Sequence, residues 1–209
     1  MVKNWYARTP KGFLFAAKFP QTITHEKVLE DCEAETRGFL STMELLGEKL
    51  GPLLIQFPYF NKKAFPSVKD FILRLKPFLS KLPKGQRFAL EVRNKNWLGA
   101  ELYDVLRQRG VALALIDHPW MPRPTEILAK GDPITADFTY IRWLGDRKGI
   151  EERTKTWDKV IVARRAELDT RGRLAYGLVQ KWSGNRKFRS SPSGLTSPLA
   201  GEHMTASEV

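Results

Sequence analysis

The sequence predicts an α/β fold of parallel strands, an incomplete (β/α)₈ TIM-type barrel with about five strands and intervening helices. Two observations support this fold class. Short apolar runs alternate with longer segments of helical periodicity. The apolar runs are nearly continuous, which is typical of parallel strands covered on both faces. An open doubly wound sheet fits the same pattern, so the residue pattern by itself leaves barrel and open sheet as alternatives.

The five predicted strands share a high content of aliphatic and aromatic residues. Four of them end at a polar residue or a proline, and the fifth has Arg142 next to its last residue. They cover residues 13–17, 53–57, 87–93, 111–116 and 138–143. Because these runs contain few charged residues until their last positions, the charged side chains of the sheet are expected at the ends of the strands.

Four helices are predicted between and after the strands. One apolar stripe runs from Val28 to Leu50, with Thr24 as its N-cap and Gly51-Pro52 as its stop. The other three have these signals: Ser67 with Asp70 three residues later as a capping box, an apolar stripe from Leu98 to Leu106 closed by Gly110, and a helix from about Glu151 that carries Trp157, Val160 and Ile161.

Composition indicates a soluble globular protein with a basic surface. The chain has 209 residues, a formal net charge of +12 and a single cysteine. The sequence contains no run of about 18 apolar residues, the length that a membrane-spanning helix needs. A single cysteine excludes an internal disulfide framework, so we expect a cytoplasmic protein. Residues 1–182 are predicted to form a partial barrel domain, and the Ser-, Pro- and Gly-rich residues 183–209 a disordered basic tail. The charge favours anionic partners, although a basic surface without a dedicated partner is equally compatible with it.

The candidate site consists of polar residues at the predicted strand ends, where parallel β/α folds bind their ligands. Alternation places Glu91 and Arg93 on one face. We predict catalytic roles for Glu91 and Asp117, and substrate binding by four further residues: Lys18, Gln56, Arg93 and Arg142. Three cations against two carboxylates suit a small phosphorylated or carboxylated substrate, with a carboxylate available as general acid or base. The alternative is that Glu91 and Arg93 form a structural ion pair.

Other signals are weaker. His25 and His118 match no metal-binding motif, and no cofactor motif or metal site is predicted. Cys32 lies on an apolar stripe and is interpreted as a core thiol. Trp120, between two prolines, is interpreted as loop packing, with a stacking face as the alternative. Nucleic-acid binding is suggested only by the net charge and by the basic segment Arg186-Lys187-Phe188-Arg189.

The strand ends also carry a family resemblance. The matching segments are residues 12–19 with Ile23-Thr24-His25, 53–58, 88–93 with Trp97, 111–117 and 137–145. Together they resemble the YecE-like family, a domain of unknown function (number 72), over about residues 5 to 165. The resemblance implies a TIM-type barrel with a polar cleft at its C-terminal mouth, and it implies no reaction.

Two departures from the family pattern lead to a further expectation. Family members usually have a strand and helix before the Trp5-Tyr6 segment and a late Asn-Asn-His-x-x-Gly segment, neither of which is found in this sequence. The five strands would then correspond to the second through sixth of eight, and a truncated or frame-altered, non-functional remnant of such a barrel is an alternative to an active protein. Open strand edges invite aggregation, so the isolated chain is expected to be poorly soluble or molten.

Overall fold

A computed structural model describes residues 1–144, 149 and 151–154. The helices of this part are α1 (Val2–Arg8), α2 (Glu33–Glu44), α3 (Val68–Lys81), α4 (Ala100–Arg109) and α5 (Pro124–Lys130). The strands are β1 (Phe15–Lys18), β2 (Leu50–Gln56), β3 (Phe88–Glu91), β4 (Ala112–Asp117) and β5 (Tyr140–Trp143). A π-helical turn covers Thr22–Glu26, and 3₁₀ turns cover Gly47–Lys49 and Lys95–Trp97. Residues 155–182 of the predicted fourth helix and barrel domain, and the predicted tail 183–209, lie outside the described residues.

The five strands form one parallel sheet in the order β1-β2-β3-β4-β5, which curls into half of a barrel. The predicted fold class and the parallel pairing are thereby confirmed. Registration aligns the carboxyl ends of neighbouring strands: Gln56 lies beside Glu91, and Ile116 lies beside Arg142. Because paired residues of adjacent parallel strands share a face, this register decides which polar side chains meet.

The two faces of the sheet differ in the size of their side chains. The face that packs against the helices carries large aliphatic residues, including Leu53, Ile55, Leu90 and Leu115, all buried in the main core. The opposite face carries Leu54 and a row of small residues, Ala89, Ala112 and Ala114. Small side chains on this face leave the space that a sheet needs in order to curl toward a barrel.

An aromatic cluster supports the loops that follow β2 and β3. Its members are Phe57, Phe60, Phe65, Phe71 and Trp97, with ring centroids 4.6–6.2 Å apart. The buried Asn94 joins the two loops, because its side-chain oxygen accepts a hydrogen bond from the Phe60 N–H at 2.9 Å and its amide donates to the Phe60 carbonyl at 2.8 Å. The backbone next to Arg93 is therefore held by buried packing and two hydrogen bonds.

Two of the helix signals predicted from the sequence are confirmed, one at the start of a helix and one at the end. The Ser67–Asp70 capping box is present at the start of α3. Gly110 ends α4 in the left-handed conformation with φ of 63°, which glycine adopts without a steric cost. Both signals depend on contacts within a few residues of sequence, and for this reason the tertiary structure leaves them unchanged.

The predicted helix from Thr24 to Leu50 is wrong in its extent and in both of its end signals, although α2 lies within it. Thr24 lies in the π-helical turn and caps no helix, and α2 begins only at Glu33. Gly51-Pro52 is not a helix stop but part of β2. The reason is a close approach of two strands: a Cβ atom on Gly51 would lie 2.7 Å from the Phe15 carbonyl oxygen of β1. Glycine here allows the strands to meet, which is a known use of glycine inside a strand.

Two helices, α1 and α5, were not predicted, because each has only seven residues and little apolar periodicity. The side chain of Lys49 holds the end of α1. Lys49 is buried, and its ammonium group donates hydrogen bonds to the carbonyl oxygens of Tyr6 at 2.7 Å and Thr9 at 2.6 Å. A cation at the C-terminus of a helix also interacts favourably with the helix dipole. Among the described residues, no helix is both long enough and apolar enough to span a bilayer.

Candidate functional site

Four of the six predicted site residues meet at the carboxyl ends of three strands. Gln56 ends β2, Glu91 ends β3 with Arg93 two residues later, and Arg142 lies in β5. The contact between Glu91 and Arg142 joins residues 51 positions apart in sequence. The strand-end site, as we call these four residues, is thus assembled by the sheet rather than by a local motif.

Glu91 is the centre of the strand-end site. Its side chain is fully buried. One carboxylate oxygen, Oε1, accepts hydrogen bonds from Arg93 Nε at 2.8 Å and forms an ion pair with Nη2 at 2.7 Å. The other oxygen, Oε2, accepts a hydrogen bond from Arg142 Nη1 at 2.5 Å. Both oxygens of this carboxylate are therefore occupied by guanidinium groups.

The two arginines are held on one side and remain partly open on the other. The side chain of Arg93 is 19% exposed and that of Arg142 is 26% exposed. Arg142 Nη1 also lies 3.4 Å from Gln56 Oε1. A guanidinium group has five N–H donors, and these contacts use only some of them. Both arginines therefore have N–H donors beyond those used in these contacts, on side chains that are partly open to solvent.

Lys18 lies at the rim of the same end of the sheet. It ends the edge strand β1, beside Leu54 of β2, and its side chain is exposed. Burial, with a contribution from the positive charge of Lys18, lowers the pKa of His25 in the following turn. The structure thus brings Lys18 to the same rim as the site. Within the part of the chain that the structure describes, Lys18 forms no hydrogen bond or ion pair with Glu91.

Asp117 lies on the other face of β4. In the register of β4 with β5, Ile116 lies beside Arg142, whereas Asp117 lies beside Trp143, which packs against the main core. Alternation therefore places the Asp117 side chain on the helix side of the sheet. The strand-end site and Asp117 are not brought together by this arrangement, although Asp117 follows the strand as predicted.

His118, which the sequence interpretation set aside, lies at the site instead. Burial lowers its pKa, and the positive charge of Arg93 lowers it further, whereas Glu91 and Asp117 raise it. The Trp120 backbone N–H donates a hydrogen bond to His118 Nδ1 at 3.3 Å. The sequence does contain a signal for this: His118 lies two residues after Ile116, so strand alternation continued past the end of β4 places both residues on the site face.

The described residues contain no group of three or more histidine, cysteine, aspartate or glutamate side chains arranged to hold a metal ion. Cys32 is buried beside α2, in agreement with its interpretation as a core thiol, and burial raises its pKa. What the strand-end site offers chemically is thus a set of directed N–H donors with a net positive charge, flanked by an imidazole.

Comparison with known proteins assigns the chain to a family. A family model described as "Protein of unknown function DUF72" matches residues 1–188. The chain belongs to this family. The resemblance seen in the strand-end segments is therefore confirmed, and family membership itself carries no assigned reaction.

Individual relatives agree with this assignment. The chain is 32% identical over 123 residues to the UPF0759 protein YecE of Escherichia coli, covering 56% of this chain and 43% of that protein. Its structure is similar to the crystal structure of a DUF72 family protein from Thermotoga maritima, with a TM-score of 0.60 and 25% identity over 85% of this chain and 66% of that chain. A DUF72 family protein from Enterococcus faecalis has a TM-score of 0.57 and 20% identity over 87% of this chain and 71% of that chain, which supports the fold. The DUF72 chain described here spans less than half the length of its Escherichia coli relative.

Proposed function

We propose that the strand-end site of this DUF72 protein binds a small anionic metabolite through a phosphate or carboxylate group. The observation that carries the proposal is that one fully buried carboxylate, Glu91, holds two partly exposed arginines side by side. Arginine presents paired N–H donors that match the geometry of carboxylate and phosphate oxygens, so two oriented guanidinium groups form a suitable anion receptor.

Charge supports the same proposal. The strand-end site contains two guanidinium groups and one carboxylate, and Lys18 adds a further positive charge at the rim. The pair of arginines is thus neutralised only in part, and an incoming anion would complete the balance. A whole-chain net charge of +12 adds long-range attraction for an anion.

In this proposal Glu91 is a positioning residue. A carboxylate whose two oxygens already accept hydrogen bonds from guanidinium groups has little capacity left to take a proton from a substrate. Its loss would release both arginines from their fixed orientation. The catalytic roles predicted for Glu91 and Asp117 stay predictions, as does the existence of a chemical step.

A ligand panel tests the proposal. The chain is screened at low protein concentration by thermal shift against phosphorylated and carboxylated metabolites, because a ligand that binds the native state raises the melting temperature. A ligand concentration of 100 times Kd stabilises the native state by about 2.7 kcal/mol. Hits are measured by isothermal titration calorimetry on the parent chain and on Arg142→Met. We expect Arg142→Met to weaken binding at least tenfold, since it removes one of the two guanidinium groups.

Arg109→Met is the matched control. It removes the same charge from an exposed arginine in the last turn of α4, which leads into the start of β4 at the opposite end of the sheet. Equal loss of affinity in both variants would indicate a nonspecific charge effect. A parent chain that binds no member of the panel would refute the proposed function.

A further inference from the structure

We infer that Trp120 and His118 form a ring-binding subsite next to the arginines, so that the ligand is an anion that also carries a planar ring, of the mononucleotide type. The inference rests on the proposed function and adds the chemical class of the ligand. It starts from the exposed side chain of Trp120, which has no role in the anion site.

Trp120 is the feature to be explained. Its side chain is 83% exposed, more than any other aromatic residue of the described part. Tryptophan has a large apolar surface, and covering it with a ligand is strongly favourable. A solvent-exposed indole near a polar site can serve as a surface on which a planar ring stacks.

The loop that carries Trp120 is anchored on both sides. The neighbouring Met121 is buried, and its N–H donates a hydrogen bond to the His118 carbonyl at 3.0 Å. Pro119 and Pro122 flank this segment and restrict its backbone. Because these contacts and the two prolines restrict the loop, a ligand that stacks on Trp120 has less backbone freedom to remove.

His118 connects the ring platform to the anion site. Its imidazole packs edge-on against the Trp120 indole, with ring centroids 5.4 Å apart. His118 also lies two residues after Ile116, which is paired with Arg142, so it follows β4 at the sheet end that carries the arginines, and the charges of Arg93 and Glu91 act on it. The strand-end site and the exposed indole therefore lie at the same end of the sheet, with His118 in contact with the indole.

The chemistry of such a pair of subsites selects a bipartite ligand. The guanidinium groups bind the phosphate or carboxylate, and the indole stacks on a flat ring such as a nucleobase. Because His118 Nδ1 accepts the Trp120 backbone N–H, the proton of the neutral imidazole lies on Nε2, which is thus a further donor for the ligand in this inference.

The test compares probes that share a phosphate and differ in the ring. Affinities of the full chain for inorganic phosphate, ribose 5-phosphate, AMP and UMP are measured by calorimetry. We expect AMP and UMP to bind about tenfold or more tightly than ribose 5-phosphate, because stacking of one base on an aromatic side chain contributes about that much. Trp120→Ala should abolish this difference, and Trp120→Phe, which keeps a ring, should retain most of it.

Leu73→Ala is the control, because it truncates an exposed apolar side chain on α3 and should leave all four affinities unchanged. Equal binding of AMP and ribose 5-phosphate would overturn the inference and leave the anion site intact. Absence of binding by every probe, in a chain whose near-ultraviolet circular dichroism shows ordered aromatic residues, would overturn the inference; the proposed function falls with it only if the carboxylated metabolites of the panel also fail to bind. Much tighter, steeply salt-dependent binding of a short oligothymidylate would overturn the assignment to a small ligand in favour of single-stranded nucleic acid.

Discussion

Replacement of Glu91 by glutamine is the sharpest test of how the site is built. The substitution keeps the shape of the side chain and removes its charge. One guanidinium group would then face the new amide NH₂ group, which is itself a donor, and would lose its acceptor. The two arginines, held 2.5–2.8 Å from the carboxylate in the parent chain, would repel each other without a counter-ion.

The expected magnitude follows from the burial of the three groups. Removing one partner of a fully buried ion pair costs about 3–5 kcal/mol. Here only Glu91 is fully buried, and the arginines, at 19% and 26% exposure, can turn toward water. We therefore expect Glu91→Gln to lower the free energy of unfolding by about 2–3 kcal/mol.

The control is Glu101→Gln. Glu101 forms an ion pair with Lys69 at 3.6 Å in which both side chains are more than half exposed, and such pairs contribute about 0–1 kcal/mol. Both variants are compared with the parent by urea unfolding at low protein concentration. Amide exchange in β3 gives the same comparison if global unfolding is not cooperative.

The double variant Glu91→Gln with Arg142→Met separates the ion pair from general disruption. Its destabilisation should be smaller than the sum of the two single effects, because the second substitution removes a cation that the first leaves without an acceptor. A Glu91→Gln variant as stable as Glu101→Gln, or strictly additive effects, would refute the positioning role of Glu91.

Four further predictions concern other parts of the chain. Lys49→Met should destabilise by about 1–2 kcal/mol and expose α1 to limited proteolysis, because hydrogen bonds to a charged group are lost, whereas Lys76→Met on the surface should do neither. Gly51→Ala should cost about 1–3 kcal/mol through its clash with the β1 backbone, while Gly38→Ala, with open space inside α2, should stabilise by up to about 1 kcal/mol, as urea midpoints will show. The pKa values of His25 and His118 are lowered below 6.5 by burial, so the unfolded chain binds more protons and the urea midpoint should fall as pH drops below about 6.5; a midpoint that rises instead would contradict this. Because β1 and β5 are the outer strands of the sheet that the described residues form, we expect the isolated chain to aggregate as its concentration rises, and a soluble monomer with a sharp thermal transition would contradict that expectation.

The sequence was sufficient for features that depend on neighbouring residues. Apolar runs located all five strands to within a few residues, and their continuity indicated parallel pairing. The capping box at Ser67 and the glycine stop at Gly110 were also recognised correctly. At the candidate site, alternation correctly placed Glu91 and Arg93 on one face.

Several features were misread because their cause lies in distant parts of the chain. Gly51-Pro52 has the appearance of a helix stop, yet its glycine is explained by the approach of the Phe15 backbone. Asp117 was selected as a strand-end residue, but the pairing of β4 with β5 places it beside Trp143, on the helix side of the sheet. His118 was set aside because it matches no metal-binding motif. A shift of one residue along a strand moves a side chain to the opposite face of the sheet, so an error of one position selects the wrong residue for the site.

The sequence by itself determined the fold class, the family segments and the set of charged residues available at the strand ends. Only the tertiary structure decided which of them meet: Glu91 takes Arg93 from its own strand end and Arg142 from a strand 51 residues away, while Asp117 turns to the other face. The physical reason is that alternation along a strand is a local property of the chain, whereas contact between side chains depends on the register of separate strands, which the packing of the whole sheet sets.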